Sequence, residues 1–287
     1  MVVLVTGANG QLGQALQFIA AKYPEMNFVF CSSSELDITD SVNCKVVFEK
    51  HQPDFCINAA AYTAVDKAES EPERAHAINV NGAQNIAEVC KIHDTVLLHV
   101  STDFVFDGEK TTPYTEEDLP NPTGIYGQTK LDGEKAVAAT WEKHFIIRTS
   151  WVYSQFGNNF MKTMLRLASD RDSLSVVNDQ IGTPTHAVDL AEALLRIIAS
   201  DFRLPTSDLY GIYNFSNEGQ CSWYDFAQKI FEVNAVSITL NPIPTTSYPT
   251  PAKRPKYSVL DKTKIKEVFG LDIKKWEQSL QPFPSVV

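Results

Sequence analysis

Val2-Val3-Leu4-Val5-Thr6-Gly7-Ala8-Asn9-Gly10-Gln11-Leu12-Gly13 opens the chain with a short apolar strand that runs directly into a glycine turn and the start of a helix. Glycines at 7, 10 and 13 let the backbone turn tightly, approach a pyrophosphate, and bring a helix close to a sheet. The free N–H groups of the helix start then point at the anion. A glycine triplet alone also fits an ordinary surface turn. Here it stands between a buried-type strand and the helical apolar spacing Leu12, Ala15, Leu16, Ile19, and the segment is expected to bind a dinucleotide.

Working outward, apolar runs of strand length recur at Phe28 to Cys31, Asp54 to Asn58, Val96 to Ser101 and Phe145 to Thr149, separated by helix-period stretches at Val80 to Lys91 and Leu131 to Ala139. Strands alternating with helices predict an α/β fold of Rossmann type, a doubly wound parallel sheet whose strands are apolar because both faces are covered. Residues 1–150 are expected to form the dinucleotide-binding domain. Later elements near 174–199 and 211–215 are expected to rejoin it, among them strands at Leu174 to Val177 and Gly211 to Phe215 and a helix at Val188 to Ala199. Residues 151–287 are read mainly as a smaller, irregular substrate lobe. Pro242, Pro244, Pro249, Pro251 and Pro255 predict a shaped loop there, serving either ligand contact or linkage.

Composition narrows the function classes. The 287 residues, 44% of them hydrophobic, can bury a full core. A net charge of −10 argues against nucleic acid or an anionic membrane as partner. No stretch is long and apolar enough to span a bilayer, and the apolar start lacks a basic leader, so a cytoplasmic protein is expected. The five cysteines, Cys31, Cys44, Cys56, Cys90 and Cys221, are scattered without a Cys-x-x-Cys pair and read as buried reduced thiols. The histidines show no metal-ligand spacing, and no metal is expected.

Tyr126 and Lys130, four apart after Asn121-Pro122-Thr123-Gly124, lie on one face of a predicted helix. Such a pair also arises incidentally on helix surfaces. Ser101-Thr102-Asp103, however, closes an apolar strand, and open parallel sheets bind ligands outside the carboxyl ends of their strands, where the glycine turn also opens. Hydroxyl, phenol and ammonium then meet over one nicotinamide. A hydride arriving at a carbonyl leaves an alkoxide that needs a proton, and a phenol needs tuning for that work at neutral pH. The Lys130 charge, with that of the oxidised nicotinamide, is expected to draw the Tyr126 pKa down. Thr102 is expected to hold the substrate oxygen, its alternative being a strand-end cap.

In these motifs the chain resembles the extended short-chain dehydrogenase/reductases along nearly its whole length. The resemblance rests on Thr6 to Gly13, Asn58 to Glu69, Ser101 to Gly108, Tyr126 to Leu131, Arg148 to Tyr153, Gly157 to Phe160, Asn178 to Thr185 and Ala252 to Pro255. It implies catalysis by Tyr126, Lys130 and Thr102, with Tyr126 the proton donor and Lys130 on the nicotinamide ribose. Gly7, Gly10, Gln11, Leu12 and Gly13 would cradle the cofactor diphosphate, Asp37 and Ile38 border the adenine, and Ala61, Tyr62 and Thr63 line the nicotinamide side. Thr102, Asp103 and Trp151 would face the sugar of a nucleotide-sugar substrate. Asn159 and Gln180 would hydrogen-bond its nucleotide, and Arg254 would grip its diphosphate with a guanidinium fork. Duller roles stay open: a helix cap for Asp37, a turn former for Asp103, a core aromatic for Trp151, and a solvated basic tail for Arg254.

The implied reaction is NADPH-dependent reduction of the C4 carbonyl of dTDP-6-deoxy-L-lyxo-4-hexulose to dTDP-L-rhamnose. Cys31-Ser32-Ser33-Ser34 stands where NAD-selective chains place an acid, so NADPH is favoured and NADH is a second coenzyme. Some relatives dimerise through magnesium held by glutamates, but this chain has Ala15 and Val188 at the corresponding places. A monomer or weak homodimer is therefore expected. Two other readings share the fold: a nucleotide-sugar epimerase, and an NADP-binding regulatory subunit like that of methionine adenosyltransferase. The short second half, Trp151 and the Gly157 to Phe160 stretch place reduction ahead of both.

Overall fold

A computed structural model describes residues 1–200 and 209–282; 201–208 and 283–287 of the expected 151–287 lobe lie outside the described residues. β1 (Val2–Thr6) leads through the glycine turn into α1 (Gln11–Ile19), then β2 (Asn27–Cys31) and α2 (Ser41–His51). β3 (Phe55–Asn58) is followed by α3 (Val65–Ala68), α4 (Pro72–His76), a π-turn over Ala77–Gly82, and α5 (Ala83–Ile92). Next come β4 (Val96–Thr102), α6 (Ile125–Thr140) and β5 (His144–Thr149). The second half holds β6 (Val152–Tyr153), α7 (Phe160–Asp170), β7 (Ser173–Val177), β8 (Ile181–Gly182), β9 (Thr185–His186) and α8 (Ala187–Ala199). It ends with β10 (Gly211–Asn214), β11 (Cys221–Ser222), α9 (Trp223–Val233), β12 (Thr239–Ile243), α10 (Thr263–Phe269) and α11 (Trp276–Ser279).

The central sheet has six parallel strands in the order β10-β5-β4-β3-β1-β2. Side chains alternate across a strand, so Val3 and Val5 enter one buried layer and Leu4 the other. The first layer is closed by α1 and α8 through Leu12, Leu16, Leu190 and Leu194; the second by α2, α5 and α6 through Phe48, Ile86 and Val137. Both faces are dry, which is why the strands read as unbroken apolar runs. Cys31, Cys44, Cys56 and Cys90 sit together in the second layer as free thiols, and burial pushes Cys31 up to about 11 and Cys44 up to about 12. They are therefore unreactive core residues. Strand order reverses at β1, with β2 on one side and β3 on the other, and parallel sheets bind ligands in the crevice outside the carboxyl ends of the strands at such a reversal.

Two expectations fail in the second half. Leu174 to Val177 does not rejoin the central sheet: β7 pairs in parallel with β12 in a separate two-stranded sheet. Ser173 and Ser175 alternate with Leu174 and Val176, which suits a sheet covered on one face, here by α7 and α9. The edge beside β5 is taken by β10. Pro242, expected in a loop, lies inside β12, whose single neighbour leaves one edge where a missing N–H is tolerated. Among the described residues no helix is long and apolar enough to cross a membrane.

Candidate active site

The crevice begins at the glycine turn. Gly7 adopts φ +64°, and a Cβ on Gly13 would stand 2.4 Å from the Gly7 carbonyl oxygen, so only glycine lets α1 approach the sheet this closely. Gly10 starts α1 without a side-chain cap. The first N–H groups of the helix are thus left for an anion, and the turn fits the diphosphate of a dinucleotide. Leu12 points into the core. The Gln11 side chain is engaged across the crevice: its Nε2 donates to the Val152 carbonyl (3.0 Å), and its Oε1 accepts from Asn159 Nδ2 (2.7 Å) and the Ser154 hydroxyl (3.1 Å).

Those bonds also give Asn159 a structural role. Its side-chain oxygen caps α7 at Lys162 N (3.1 Å), while its amide nitrogen also donates to the Ser154 carbonyl (2.7 Å). Asn159 thus ties the 152–159 segment to α1. Asp37 is exposed, and its carboxylate holds the Thr39 N–H (2.9 Å) and hydroxyl (2.7 Å); the cap of α2 is Asp40. Ile38 is buried beside Gly82. Tyr62 is also turned inward, its phenol donating to Glu71 (2.9 Å) and its main chain held at both N–H and C=O by Asn79 (2.9 and 3.2 Å). The loop therefore presents Ala61, Thr63 and backbone to the crevice.

The dyad is set by contacts at the start of α6. Glu69 accepts the Ile125 N–H (2.9 Å), and a Cβ on Gly127 would stand 2.2 Å from the Phe104 carbonyl, so glycine lets α6 lean on the turn after β4. Tyr126 is half-buried, its ring edge-on to Phe104 with centroids 5.5 Å apart. Lys130 is 2% exposed, and its Nζ donates to the Val100 carbonyl (2.7 Å). The Thr102 hydroxyl accepts the Phe104 N–H (3.2 Å), donates to Asp103 Oδ1 (3.1 Å), and lies near enough to the Tyr126 phenol to pull its pKa down. Thr102 is both a strand-end cap and a neighbour of the phenol.

The expected tuning of Tyr126 runs the other way in the protein alone. Burial pushes the phenol up to about 12, reinforced by the Asp103 charge and opposed by the Thr102 hydrogen bond. Lys130 makes no compensating contribution because its ammonium is turned to Val100, and burial draws it down to about 8 against the pull of Glu134. Desolvation, invisible in the four-residue spacing, outweighs the pairing of charges.

On the substrate side, burial pushes Asp103 up to about 6, offset in part by the Ser258 and Thr102 hydroxyls. Its Oδ2 has no hydrogen-bond partner among the described residues. Trp151 holds φ +46°, strained for a bulky residue, and stacks on Trp223 with ring centroids 3.5 Å apart. Gln180 is buried and donates to the Thr245 hydroxyl (3.0 Å). Arg254 forms a fork with Asp66, NH1 to Oδ1 at 2.6 Å and NH2 to Oδ2 at 2.7 Å, closing the proline-rich loop onto α3. The arginine is thus not a free solvated tail.

Sequence reasoning missed the residues that hold these groups: Asp66 for Arg254, Trp223 for Trp151, Asn79 for the Tyr62 loop, and the buried Glu134–Arg148 pair behind Lys130. Each joins segments far apart in the chain or apolar in their surroundings. Only Glu134, four residues after Lys130, carried a signal of spacing.

Residues 1–285 match the family model described as RmlD substrate binding domain. The dTDP-4-dehydrorhamnose reductase of Aggregatibacter actinomycetemcomitans is 43% identical over 285 residues, covering 97% of this chain and 97% of that protein. A solved dTDP-4-dehydrorhamnose reductase from Clostridium acetobutylicum superposes with TM-score 0.91 at 41% identity, over 98% of this chain and 97% of that one. Another from Bacillus anthracis, solved in complex with NADP, gives TM-score 0.92 at 40% identity, over 97% and 96%. By this near full-length match the chain belongs to the RmlD substrate binding domain family, in which these relatives are dTDP-4-dehydrorhamnose reductases.

Proposed function

We propose that this chain uses NADPH to reduce the C4 carbonyl of dTDP-6-deoxy-L-lyxo-4-hexulose, giving dTDP-L-rhamnose, with Tyr126 as proton donor. The observation that carries the reading is that one face of α6 brings Tyr126 to Thr102 and Lys130 to Val100 at the carboxyl end of β4. Family membership supports the substrate, and the uncapped start of α1 supports the coenzyme.

Gly7, Gly10, Gly13 and the backbone of Gln11 and Leu12 hold the cofactor diphosphate, with Asp37 and Ile38 toward the adenine and the Ala61 to Thr63 backbone toward the nicotinamide. At the end of β2 the Glu35 carboxylate is drawn onto the Ser32 N–H (2.8 Å) and hydroxyl (2.7 Å), while Ser33 and Ser34 stay exposed. An acid so engaged, with hydroxyls beside it, favours the 2′-phosphate of NADPH over NADH. Bound NADPH supplies a hydride to C4.

Thr102 donates to the C4 oxygen and holds it near the phenol. Tyr126, pushed up to about 12, is protonated at neutral pH, the state a reduction requires. A secondary alkoxide is a stronger base than this phenolate, so proton transfer from Tyr126 runs downhill. Lys130, at about 8 and so largely charged at neutral pH, stabilises the phenolate left behind once its ammonium turns from the Val100 carbonyl toward the ring. Asp103 Oδ2 accepts a sugar hydroxyl, Trp151 packs on the sugar, Gln180 lies toward the nucleotide, and Arg254 meets the diphosphate.

Five free, buried thiols suit a reducing cytoplasm. Ala15 is buried and Val188 packs on the same core, so neither offers an acidic ligand to magnesium, which supports a monomer or weak homodimer. The test is to mix the purified chain with NADPH and the keto sugar. Coenzyme absorbance should fall and dTDP-L-rhamnose should appear by NMR; no turnover, while a competent reductase works in parallel, refutes the reading.

A further inference from the structure

Tyr126, Lys130 and Glu134 stand four apart and form one stripe along α6. Each meets a consecutive residue of β4: Lys130 donates to the Val100 carbonyl (2.7 Å), Glu134 accepts the Ser101 hydroxyl (2.5 Å), and Tyr126 lies beside Thr102. Glu134 is 3% exposed and is also gripped from β5, where Arg148 Nε donates to Oε1 (3.0 Å) and Arg148 NH2 to Oε2 (2.7 Å). Ser101 and Arg148 are direct neighbours in the β4–β5 register. The carboxylate is thus held from two adjacent strands at the same level as the dyad.

Stability alone gives little reason for such a pair. Buried ions lose their hydration, and apolar residues of similar volume often serve at least as well. Arg148 even keeps NH1 without a hydrogen-bond partner among the described residues, its guanidinium carbon lying over the Phe106 ring 5.1 Å from the centroid. What the pair supplies is direction. A turn of α6 about its axis would break both bonds to β4 and carry Tyr126 away from Thr102.

We propose that Glu134, clamped by Arg148 and Ser101, is a positioning residue that locks the face of α6 carrying Tyr126 and Lys130 against the carboxyl ends of β4 and β5. The proposal rests on the dyad reading above. From its own helix Lys130 faces Glu134; from β4, His99, held neutral well below its usual range by burial; and from β5, Arg148 beyond Glu134, while Asp103 in the turn after β4 faces Tyr126. From α3, Glu69 is occupied at Ile125 N, and the π-turn and α5 bring Asn79 and Ala83 to α6. Glu134 is the carboxylate whose charge holds the Lys130 proton.

Glu134→Gln keeps the shape and removes the charge, and Glu134→Gln with Arg148→Met removes the ion pair without leaving a lone buried cation. Both are expected to lower kcat by roughly ten- to a hundredfold with NADPH affinity changed by less than about twofold. In Glu134→Gln the alkaline limb of kcat, set by Lys130 at about 8, should move to lower pH because the ammonium loses its stabilising carboxylate. Ser101→Ala, which spares the ion pair, should lower kcat in the same direction by a smaller factor and decides the matter if the other variants do not fold. A folded variant set with wild-type kcat and an unmoved limb overturns the proposal. Tyr126→Phe runs alongside: full activity there overturns the dyad reading and this proposal with it. Lost activity in Tyr126→Phe beside unaffected Glu134 and Ser101 variants overturns the positioning role alone.

Discussion

In the proposed function the glycine turn and the Trp151 side of the crevice are given the same task, holding part of a ligand, and they are built for it in opposite ways. At the turn, backbone does the holding, and the side chains have been reduced to nothing so that α1 can approach the sheet. At Trp151, side chains do it: a strained tryptophan lies on Trp223, and Arg254 is forked by Asp66 from the other half of the chain. One region should fail when atoms are added and the other when they are removed.

Among variants that separate the two regions, the largest effect is expected at Gly13. Alanine there places a Cβ 2.4 Å from a backbone oxygen, and an overpacking cost of about 2.7 kcal/mol corresponds to about a hundredfold weaker NADPH binding, measured by fluorescence titration. On the other side, Arg254→Gln removes one charged hydrogen-bonding partner of a diphosphate, about 1.4 kcal/mol, and should raise KM for the keto sugar about tenfold at unchanged NADPH affinity. Trp223→Ala, which takes the stack from beneath Trp151, should cost about 1 kcal/mol, a KM rise of about fivefold in the same assay. An equal loss of NADPH affinity in the last two variants would erase the contrast between the regions.

The smallest effect is one of pH. Asp103, pushed up to about 6 by burial, is ionised above that pH and protonated below it. Losing the carboxylate weakens a charge-assisted bond to a sugar hydroxyl, so kcat/KM should fall about threefold as pH drops through 6. Asp103→Asn should remove this acid limb. A limb that survives the substitution would assign it to another group.

The same contrast explains what the sequence disclosed. Backbone sites announce themselves, because glycines at 7, 10 and 13 and unbroken apolar strands are local patterns; β2 to β5 begin or end within about one residue of where the apolar runs do. The helix expected from Val80 begins at Ala83, because a π-turn over Ala77–Gly82 turns Asn79 toward the Tyr62 backbone and Thr129. Side-chain sites stayed hidden, since Gln11 to Asn159 and Asp66 to Arg254 are pairings that only the folded chain brings together. Leu174 to Val177 misled because a short apolar run does not say which sheet it joins. The sign of the Tyr126 shift was hidden for the same reason: spacing places Lys130 on the right face, whereas burial depends on everything packed around it.

The most direct measurement is the rate of NADPH consumption with dTDP-6-deoxy-L-lyxo-4-hexulose by the intact chain and by Tyr126→Phe, with NADPH affinity measured on both. Turnover by the intact chain, a fall of about 10²–10⁴ in kcat for the variant, and matching affinities are expected if the phenol delivers the proton. Equal turnover by the two proteins would contradict that role outright.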